Sequence, residues 1–383
     1  MIFLFWFYLS LIIYCYFGYP ICLALISNFK SRPVAKKEIA PKVSIILSVW
    51  NEQDVIRRKL INLLALDYPS DSLEIIVGSD GSDDETNNII RSFNDARIHF
   101  IERTDRRGKM IVLNELVSLA RHEIIVFNDA RQEIQKDAIY KLVANFADPS
   151  VGCVSGELIF RKKEGTTAQG INLYWEYEKF MRNHEARIHS MLGATGAIYA
   201  IRKNLYHPVP KSVVLDDMYI PFRVIESGYR AIFESEAKAF DNAAEDPKEE
   251  YRRKTRTLFG NFQIFQIFGR MFNPFKSPIA IQLFSHKLLR VVVPFLMVKL
   301  IFINLLLVNH EFYAWTMAAQ ILFYAMASVG LCTKGNQQGM VRNIAKLCYI
   351  PYVFCLLNFS VFIGFWRFIT SKQQITWEKA REN

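Results

Sequence analysis

Acidic residues follow three short apolar runs, a position where α/β proteins commonly bind ligands. The runs VSIILSVW, LEIIVGSD and HEIIVFNDA contain or lead into Glu52, Asp80 and Asp129. A later apolar sequence, VVL, leads into Asp216 and Asp217. Carboxylates in such positions can bind a hard cation or a hydroxyl group, or act as a general base.

Each acid, taken alone, also has an ordinary structural explanation. Asp80 lies in SDGSDD, where small residues allow a sharp turn and an acid can form an Asx turn or cap a helix. Asp129 could cap the next helix, although Asp137 is better placed to do so. Asp216 and Asp217 could be helix caps, or could repel each other and make one carboxylate more basic.

A basic segment precedes the helical pattern that begins near residue 108. Arg106, Arg107 and Lys109 flank Gly108 in the sequence RRGK. The first N–H groups of a helix and its dipole attract anions, so a diphosphate would fit here. Solvated basic residues before a helix are equally common, so this segment alone does not establish a binding site.

The alternation of strand and helix patterns predicts an α/β domain. Apolar runs of strand length occur at 43–50, 73–80, 98–103 and 122–130. Helical patterns lie between and after them, at 53–66, 84–93, 108–120 and 136–146. We expect a largely parallel sheet covered by helices, with ligands beyond the carboxyl ends of the strands. A further short strand is predicted at 213–215, followed by a helix that ends at Gly228.

Four apolar stretches are long enough to cross a membrane, which takes about 20 residues. They lie at 2–26, 288–308, 312–332 and 347–368. Basic residues follow the first stretch, and Lys334 lies in the link between the last two. By the positive-inside rule, this distribution predicts a cytosolic domain after the first stretch.

Composition agrees with a membrane protein and argues against disulfides or structural zinc. The chain has 383 residues, 51% of them hydrophobic, and includes 30 Phe. Its net charge of +10 would suit nucleic acid, an anionic membrane surface or a phosphate-rich substrate. Of the six cysteines, only Cys153 lies outside strongly apolar stretches, and the sequence has no CxxC motif or Cys/His cluster.

These patterns divide the chain into five parts. They are a membrane anchor at 1–29, a cytosolic α/β domain at 30–257, an amphipathic interfacial segment at 258–287, three membrane helices at 288–370 and a tail at 371–383. The interfacial segment spaces aromatic and aliphatic residues with few charges, although such a pattern could also pack on the soluble domain.

The order of the motifs resembles that of the family 2 inverting glycosyltransferases with a GT-A fold, a Rossmann-like, nucleotide-sugar-binding fold, over roughly residues 41–265. The family pattern has an Asn-Glu strand end, a DGSxD turn, a GK…N segment, a DxD-type metal site, a base motif and a QxxRW-type segment. The matching residues are Asn51-Glu52, Asp80 to Asp84, Gly108-Lys109 with Asn114, Asp129-Ala-Arg131, Asp216-Asp217 and Arg253 to Thr257. Six motifs in order are far more specific than one.

The resemblance implies a role for each matching residue. Glu52 and Asp80 would line the nucleobase and ribose pocket. Lys109 would hold the diphosphate, and Asp129 would bind Mg²⁺ or Mn²⁺. Asp217 would be the catalytic base that deprotonates the acceptor hydroxyl.

Some positions depart from the family pattern. Arg131 replaces the second acid of the DxD motif, which removes a metal ligand and adds a cation near the diphosphate. Asp216 stands where the family usually has Glu. Arg253 and Arg256 would bind the leaving diphosphate. Thr257 replaces the Trp of processive synthases, so both processive synthesis and transfer of one or a few sugars stay open.

We therefore expect an inverting glycosyltransferase of the bacterial inner (plasma) membrane. It would transfer a sugar from a nucleotide-sugar, with a UDP-sugar as the expected donor, to a lipid-linked or polysaccharide acceptor at the cytosolic face. The expected partners are the donor, the acceptor, the membrane and polysaccharide-export proteins, with no nucleic acid. The alternative is a catalytically decayed scaffold or binding subunit of a polysaccharide synthesis or export complex.

Overall fold

The computed structural model describes residues 1–161, 166–242, 247–332 and 339–370, and within them eight strands form one sheet. The strands are β1 (Val43–Val49), β2 (Leu73–Asp80), β3 (Ile98–Arg103), β4 (Ile124–Phe127), β5 (Glu133–Ile134), β6 (Val151–Arg161), β7 (Tyr199–Arg202) and β8 (Arg230–Asn242). Their order in the sheet is β3-β2-β1-β4-β7-β6-β8-β5.

Helices cover the sheet and form a separate apolar bundle. They are α1 (Ile2–Ile13), α2 (Tyr19–Phe29), α3 (Gln53–Leu64), α4 (Thr86–Arg91), α5 (Lys109–Leu119), α6 (Ala138–Val143), α7 (Thr166–Ile188), α8 (Asp216–Glu226), α9 (Pro247–Ile267), α10 (Ala280–Gln282), α11 (Leu289–Leu306), α12 (Glu311–Cys332) and α13 (Gly339–Ile369). Two π-helical turns, Tyr14–Gly18 and Leu283–Leu288, interrupt the apolar helices.

The sheet is mostly parallel, as the sequence predicts. Strands β3, β2, β1 and β4 are parallel neighbours, and β6 is parallel to β8. Strand β7 runs antiparallel between β4 and β6, and β5 is antiparallel to β8. Helices cover both faces, so β1 and β2 are buried at every position and read as continuous apolar runs.

Two hydrophobic clusters fill the space between the sheet and its helices. Ile45 and Leu60 belong to the cluster that includes α3, whereas Ile46 and Leu116 belong to the cluster that includes α5. Successive side chains of a strand point to opposite faces, which places neighbouring β1 residues in different clusters. The four parallel strands therefore end together at one edge of a rigid core.

The short strand predicted at 213–215 is wrong, because these residues form a turn before α8. The backbone N–H of Val213 donates to the Pro210 carbonyl at 3.0 Å, and that of Val214 donates to Gln263 Oε1 of α9 at 3.1 Å. A turn and a side chain thus satisfy groups that a neighbouring strand would otherwise bind.

Four helical segments are long and apolar enough to cross a membrane, and they agree with the predicted stretches. They are Ile2–Phe29, Ala280–Leu306, Glu311–Cys332 and Leu347–Ile369. Large apolar side chains such as Phe3, Phe302 and Trp315 are exposed on them, as expected of a surface that faces lipid. Lys334 and the tail at 371–383 lie outside the described residues.

Helix α9 joins the soluble core to the last candidate span. Ile264 of this helix and Phe268, which directly follows it, are buried in the core cluster around α5 and α8. On another side, Phe262 lies 5.4 Å from Phe365 of α13, measured between ring centroids. The predicted boundary at 257 falls within this helix, and the interfacial location of the segment that follows stays a prediction.

Candidate active site

Asp80 is fully buried and fixes the loop that leads into α5. Its Oδ1 accepts the backbone N–H of Arg107 at 2.7 Å, and its Oδ2 accepts that of Gly108 at 2.9 Å. Gly81 has a φ of +69°, and a Cβ there would lie 2.9 Å from the Asp105 carbonyl carbon. Burial raises the pKa of Asp80, although these backbone N–H groups oppose the shift. The turn therefore fixes the start of α5.

Lys109 lies between two carboxylates at the start of α5. Its Nζ is 3.1 Å from Asp129 Oδ1 and 3.4 Å from Asp216 Oδ1. Burial lowers the pKa of Lys109, but the two carboxylates raise it above its ordinary value. The side chain is therefore an ammonium group that ties α5 to the end of β4 and the start of α8.

Asp129 and Asp217 converge on Gly196, in the small-residue loop before β7. A Cβ at Gly196 would lie 3.1 Å from Asp129 Oδ2 and 3.8 Å from Asp217 Oδ2. The backbone of Asp217 is held by Ala194, whose N–H donates to its carbonyl at 2.7 Å. The absence of a side chain at Gly196 thus leaves space in front of both carboxylates.

The environment of Asp217 makes its carboxylate unusually basic. Burial raises the pKa of Asp217 to about 6, and the negative charges of Asp216 and Asp129 add to the shift. Lys109 and Arg182 act in the opposite direction. A carboxylate with a pKa near the working pH is suited to accept a proton from a hydroxyl group.

Arg131 pairs with Glu52 across the site. Its Nε is 3.5 Å from Glu52 Oε2, and Glu52 is only 7% exposed. The backbone N–H of Glu52 donates to Thr86 Oγ1 at 2.8 Å, which links the end of β1 to α4. The residue that replaces the second DxD acid therefore joins the end of β4 to the end of β1.

Sequence reasoning missed Lys59, which supports the loop carrying Asp129 and Arg131. The Lys59 side chain is buried, and its Nζ donates to the Gln132 carbonyl at 2.6 Å. Burial lowers the pKa of Lys59 to about 7, against the attraction of Asp129 and Glu133. The signal in the sequence is a lysine on the apolar face of α3.

Most predicted site residues line one cavity of about 1040 Å³ between the sheet domain and the candidate spans. These are Glu52, Lys109, Asp129, Arg131, Asp216, Asp217, Arg253 and Arg256. Asp80 is not among the lining residues, because the loop before α5 covers it. The Asn114 side chain forms hydrogen bonds with the backbone carbonyl and the backbone N–H of Val209. Its presence in the motif therefore has a structural explanation.

The charged residues of α9 face the same cavity. Arg256 extends towards the turn before α8, with an NH2 group 3.5 Å from the Val214 carbonyl oxygen, and its charge acts on Lys109. The guanidinium carbon of Arg253 lies 5.7 Å from the centre of the Phe160 ring. Both side chains line the cavity, where a guanidinium group can bind an anion.

The protein side chains alone supply few ligands for a metal ion. Within the described ranges, no group of three or more His, Cys, Asp or Glu residues could hold an ion. Asp129 Oδ1 contacts Lys109, whereas its Oδ2 faces the space over Gly196. That oxygen fits a divalent cation whose remaining ligands would come from a diphosphate and water.

Comparison with known sequences shows that part of the chain is similar to a known family. Residues 44–207 match the family described as Glycosyl transferase family 2. A probable glycosyltransferase of Bacillus subtilis (strain 168), YdaM, is 26% identical over 257 residues, or 64% of this chain. Poly-beta-1,6-N-acetyl-D-glucosamine synthase of Staphylococcus aureus (strain MSSA476) is 31% identical over 153 residues, or 39% of this chain. These matches span 61% and 36% of the respective relatives.

A solved structure shares the fold over nearly the whole chain. The mannosyltransferase PcManGT from Pyrobaculum calidifontis, in complex with GDP-Man and Mn²⁺, superposes with a TM-score of 0.70. The match covers 97% of this chain and 100% of that one, at 20% identity, and establishes the fold alone. Residues 44–207 are therefore similar to glycosyl transferase family 2 domains, and the sheet and its helices have a GT-A fold.

Proposed function

We propose that the chain is an inverting glycosyltransferase that moves a sugar from a nucleotide-sugar to a lipid-linked or polysaccharide acceptor. The reaction would take place at the cytosolic face of the bacterial inner membrane. The observation that carries the proposal is the convergence of Asp129 and Asp217 on Gly196, with Lys109 between Asp129 and Asp216. This group lies in a cavity that also reaches the candidate spans.

The donor would lie along the carboxyl ends of the strands, with its diphosphate among cationic groups. Lys109, Arg253 and Arg256 all line the cavity and would stabilise the negative charge of the departing nucleotide. A divalent cation bound by Asp129 would neutralise part of the same charge. A UDP-sugar stays the predicted donor, and the likeness to PcManGT adds a GDP-sugar to the candidates.

Asp217 would act as the general base. It would accept the proton of the acceptor hydroxyl while the oxygen forms a bond to the anomeric carbon. The bond from that carbon to the diphosphate oxygen breaks, and its electron pair leaves with the nucleoside diphosphate. Attack from the face opposite the leaving group inverts the anomeric configuration. Asp216 would support Asp217 by holding Lys109 and by raising the pKa of its neighbour.

The proposal is tested with purified protein in detergent and a panel of nucleotide-sugars. A general base contributes roughly 10²–10⁴-fold to rate, so Asp217→Asn should lower turnover by that factor while donor binding survives. Asp71→Asn is the control, because Asp71 is exposed in a short helical turn away from the cavity. Normal turnover in Asp217→Asn would remove the assignment of the base, and an NMR spectrum of the first product tests inversion.

The alternative, a decayed scaffold of a polysaccharide synthesis or export complex, rests on Arg131. The pairing of Arg131 with Glu52 favours the enzyme instead, because the replaced residue makes its own ion pair while Lys109 contacts Asp129. A wild-type protein that binds no nucleotide-sugar, yet binds a membrane partner tightly, would favour the scaffold.

A further inference from the structure

One face of α7 carries three charged residues towards the candidate spans. Glu178, Arg182 and Glu185 are separated by four and three positions, which places them on the same side of a helix. Both glutamates are almost fully buried. The helix therefore presents an alternation of negative, positive and negative charge at the boundary between the soluble domain and the apolar bundle.

The two glutamates contact residues of the first two spans. Glu178 pairs with Arg290 and lies 3.4 Å from His286 Nε2. Glu185 lies 2.7 Å from His286 Nδ1 and accepts the hydroxyl of Tyr19 at 3.1 Å. These contacts fix the orientation of α7 against the spans, and they account for the burial of both carboxylates.

Arg182 and Lys287 have no such partner. Both side chains line the large cavity, and neither makes a hydrogen bond or an ion pair within 4.0 Å of any described residue. Glu178 attracts Lys287 from beyond ion-pair distance, as Glu185 does more weakly, whereas Arg182 and Arg290 repel it. Like charges held together in a partly desolvated place cost free energy, which a bound anion would offset.

The position of these cations within the cavity indicates an amphipathic ligand. Phe354, Leu357 and Val361 of the last candidate span line the same cavity and supply an apolar wall. Arg182 also acts electrostatically on Asp217, so one of the two cations is near the proposed base, whereas Lys287 belongs to the second candidate span. A ligand here would combine an anionic group near the active site with a hydrocarbon chain among the spans.

The helix geometry around Lys287 gives independent support. Lys287 belongs to the π-helical turn Leu283–Leu288, and the second such turn, Tyr14–Gly18, packs against it. The hydroxyl groups of Tyr14 and Ser285 lie 2.9 Å apart and join the two turns. A π-helical turn changes the direction of the side chains that follow, and such turns occur frequently at functional sites.

We infer that Arg182 and Lys287 bind the phosphate of a lipid-linked acceptor whose hydrocarbon chain leaves the cavity along the last span. The inference rests on the proposed function, since it names the acceptor class for the same reaction. An arginine can bind two phosphate oxygens at once, and a lysine adds a point charge beside it.

Binding is tested on the full-length chain in detergent by thermal stability. The probes are geranylgeranyl phosphate, geranylgeraniol and inorganic phosphate at equal concentrations. We expect stabilisation by geranylgeranyl phosphate beyond that given by the other two, because only this probe has both the anion and the chain. An equal response to inorganic phosphate would indicate a free-anion site, and an equal response to the alcohol would indicate apolar binding alone. Either result overturns the inference.

Substitutions then locate the site. Arg182→Gln with Lys287→Gln should raise the concentration for half-maximal stabilisation by geranylgeranyl phosphate about tenfold or more. Arg182→Lys alone, which retains the charge, should keep part of the response and guards against a folding defect. Arg187→Gln is the control, because Arg187 is an exposed arginine on the same helix. A double variant that responds like wild type would also overturn the inference.

The same samples separate this inference from the proposed function. Stabilisation by a nucleotide-sugar, together with no specific response to geranylgeranyl phosphate, would overturn the lipid site and leave the glycosyltransferase in place. Stabilisation by no nucleotide-sugar in the panel would count against the glycosyltransferase itself.

Discussion

The two ends of the cavity differ in how their charges are balanced. At the donor end, Lys109 is paired with Asp129 and Asp216, and Arg131 with Glu52. At the membrane end, α7 and the second span bring Arg182 and Lys287 into the cavity without a carboxylate within 4.0 Å among the described residues. The donor end is thus organised before any ligand binds, whereas the membrane end has cationic charge for a ligand to neutralise.

Paired and unpaired cations should respond differently to removal. Loss of a paired cation leaves a buried carboxylate uncompensated and disturbs the site itself. Loss of an unpaired cation relieves repulsion between like charges and weakens the binding of the ligand that it contacts. Loss of Arg182 also removes a charge that lowers the pKa of Asp217.

The largest effect is expected for Lys109→Met. This substitution leaves Asp129 and Asp216 without their shared cation and removes a donor to the diphosphate. We expect kcat/KM for the nucleotide-sugar to fall about 10²–10³-fold, and the melting temperature to fall as well. Lys211→Met, at an exposed lysine, is the control. Normal donor kinetics in Lys109→Met would contradict the conclusion that the donor end depends on its paired charges.

Gly196→Ala should have the next largest effect, because it fills the space in front of both acids. The added Cβ would press on Asp129 Oδ2 at 3.1 Å and approach Asp217 Oδ2 at 3.8 Å. A displacement of about 1 Å in a reacting group can cost about 10²-fold, so we expect kcat to fall roughly 10–10²-fold. Gly269→Ala is the matched control, since a Cβ there meets nothing within 4 Å. Equal kcat in the two variants would contradict convergence of the acids on the reaction.

The pH dependence of turnover tests the raised pKa of Asp217. A base must be deprotonated to act, so log kcat/KM should be level above pH 6 and fall about tenfold per pH unit below it. In Asp216→Asn a neighbouring negative charge is lost, which should lower the pKa of Asp217 and move the acid limb to lower pH. An acid limb that stays in place in this variant would argue against repulsion between the two carboxylates.

The smallest effect is expected for Lys59→Met, which tests whether Lys59 stabilises the loop that carries Asp129 and Arg131. The folded-state pKa of Lys59, about 7, lies below the ordinary value of 10.5. Between these values the unfolded chain binds more protons, so stability of the wild type should rise with pH, by about 1 kcal/mol per unit. Met has no such titration, so the difference in melting temperature between the variant and the wild type should change over this range. Turnover should fall only a few-fold, and a pH-independent difference in melting temperature would contradict the low pKa.

Much of the fold could be predicted because its signals are local. Strand-length apolar runs such as LEIIVGSD are read directly from the sequence, and their burial on both faces follows from the helices between them. The short strand at 213–215 was wrong because pairing depends on a distant neighbour. The carbonyl of Pro210 and the side chain of Gln263 bind its backbone instead.

The candidate site could be predicted only in part. Motif order pointed to Lys109, Asp129 and Asp217, which the structure brings to one cavity, while their catalytic roles stay predictions. The burial of Asp80 beneath the loop before α5 and the support from Lys59 were not foreseen. Both depend on hydrogen bonds to backbone groups far away in the sequence, and residue types alone do not specify such bonds.

The sequence by itself determined the α/β alternation, the four apolar segments and the order of the motifs, because hydrophobic periodicity and turn chemistry act over a few residues. Tertiary structure alone decided which charges are paired. Arg131 meets Glu52, and Glu178 meets Arg290, across large separations in the chain. Arg182 lies between the two glutamates of its helix, yet only packing against the spans leaves it facing the cavity without an ion-pair partner among the described residues.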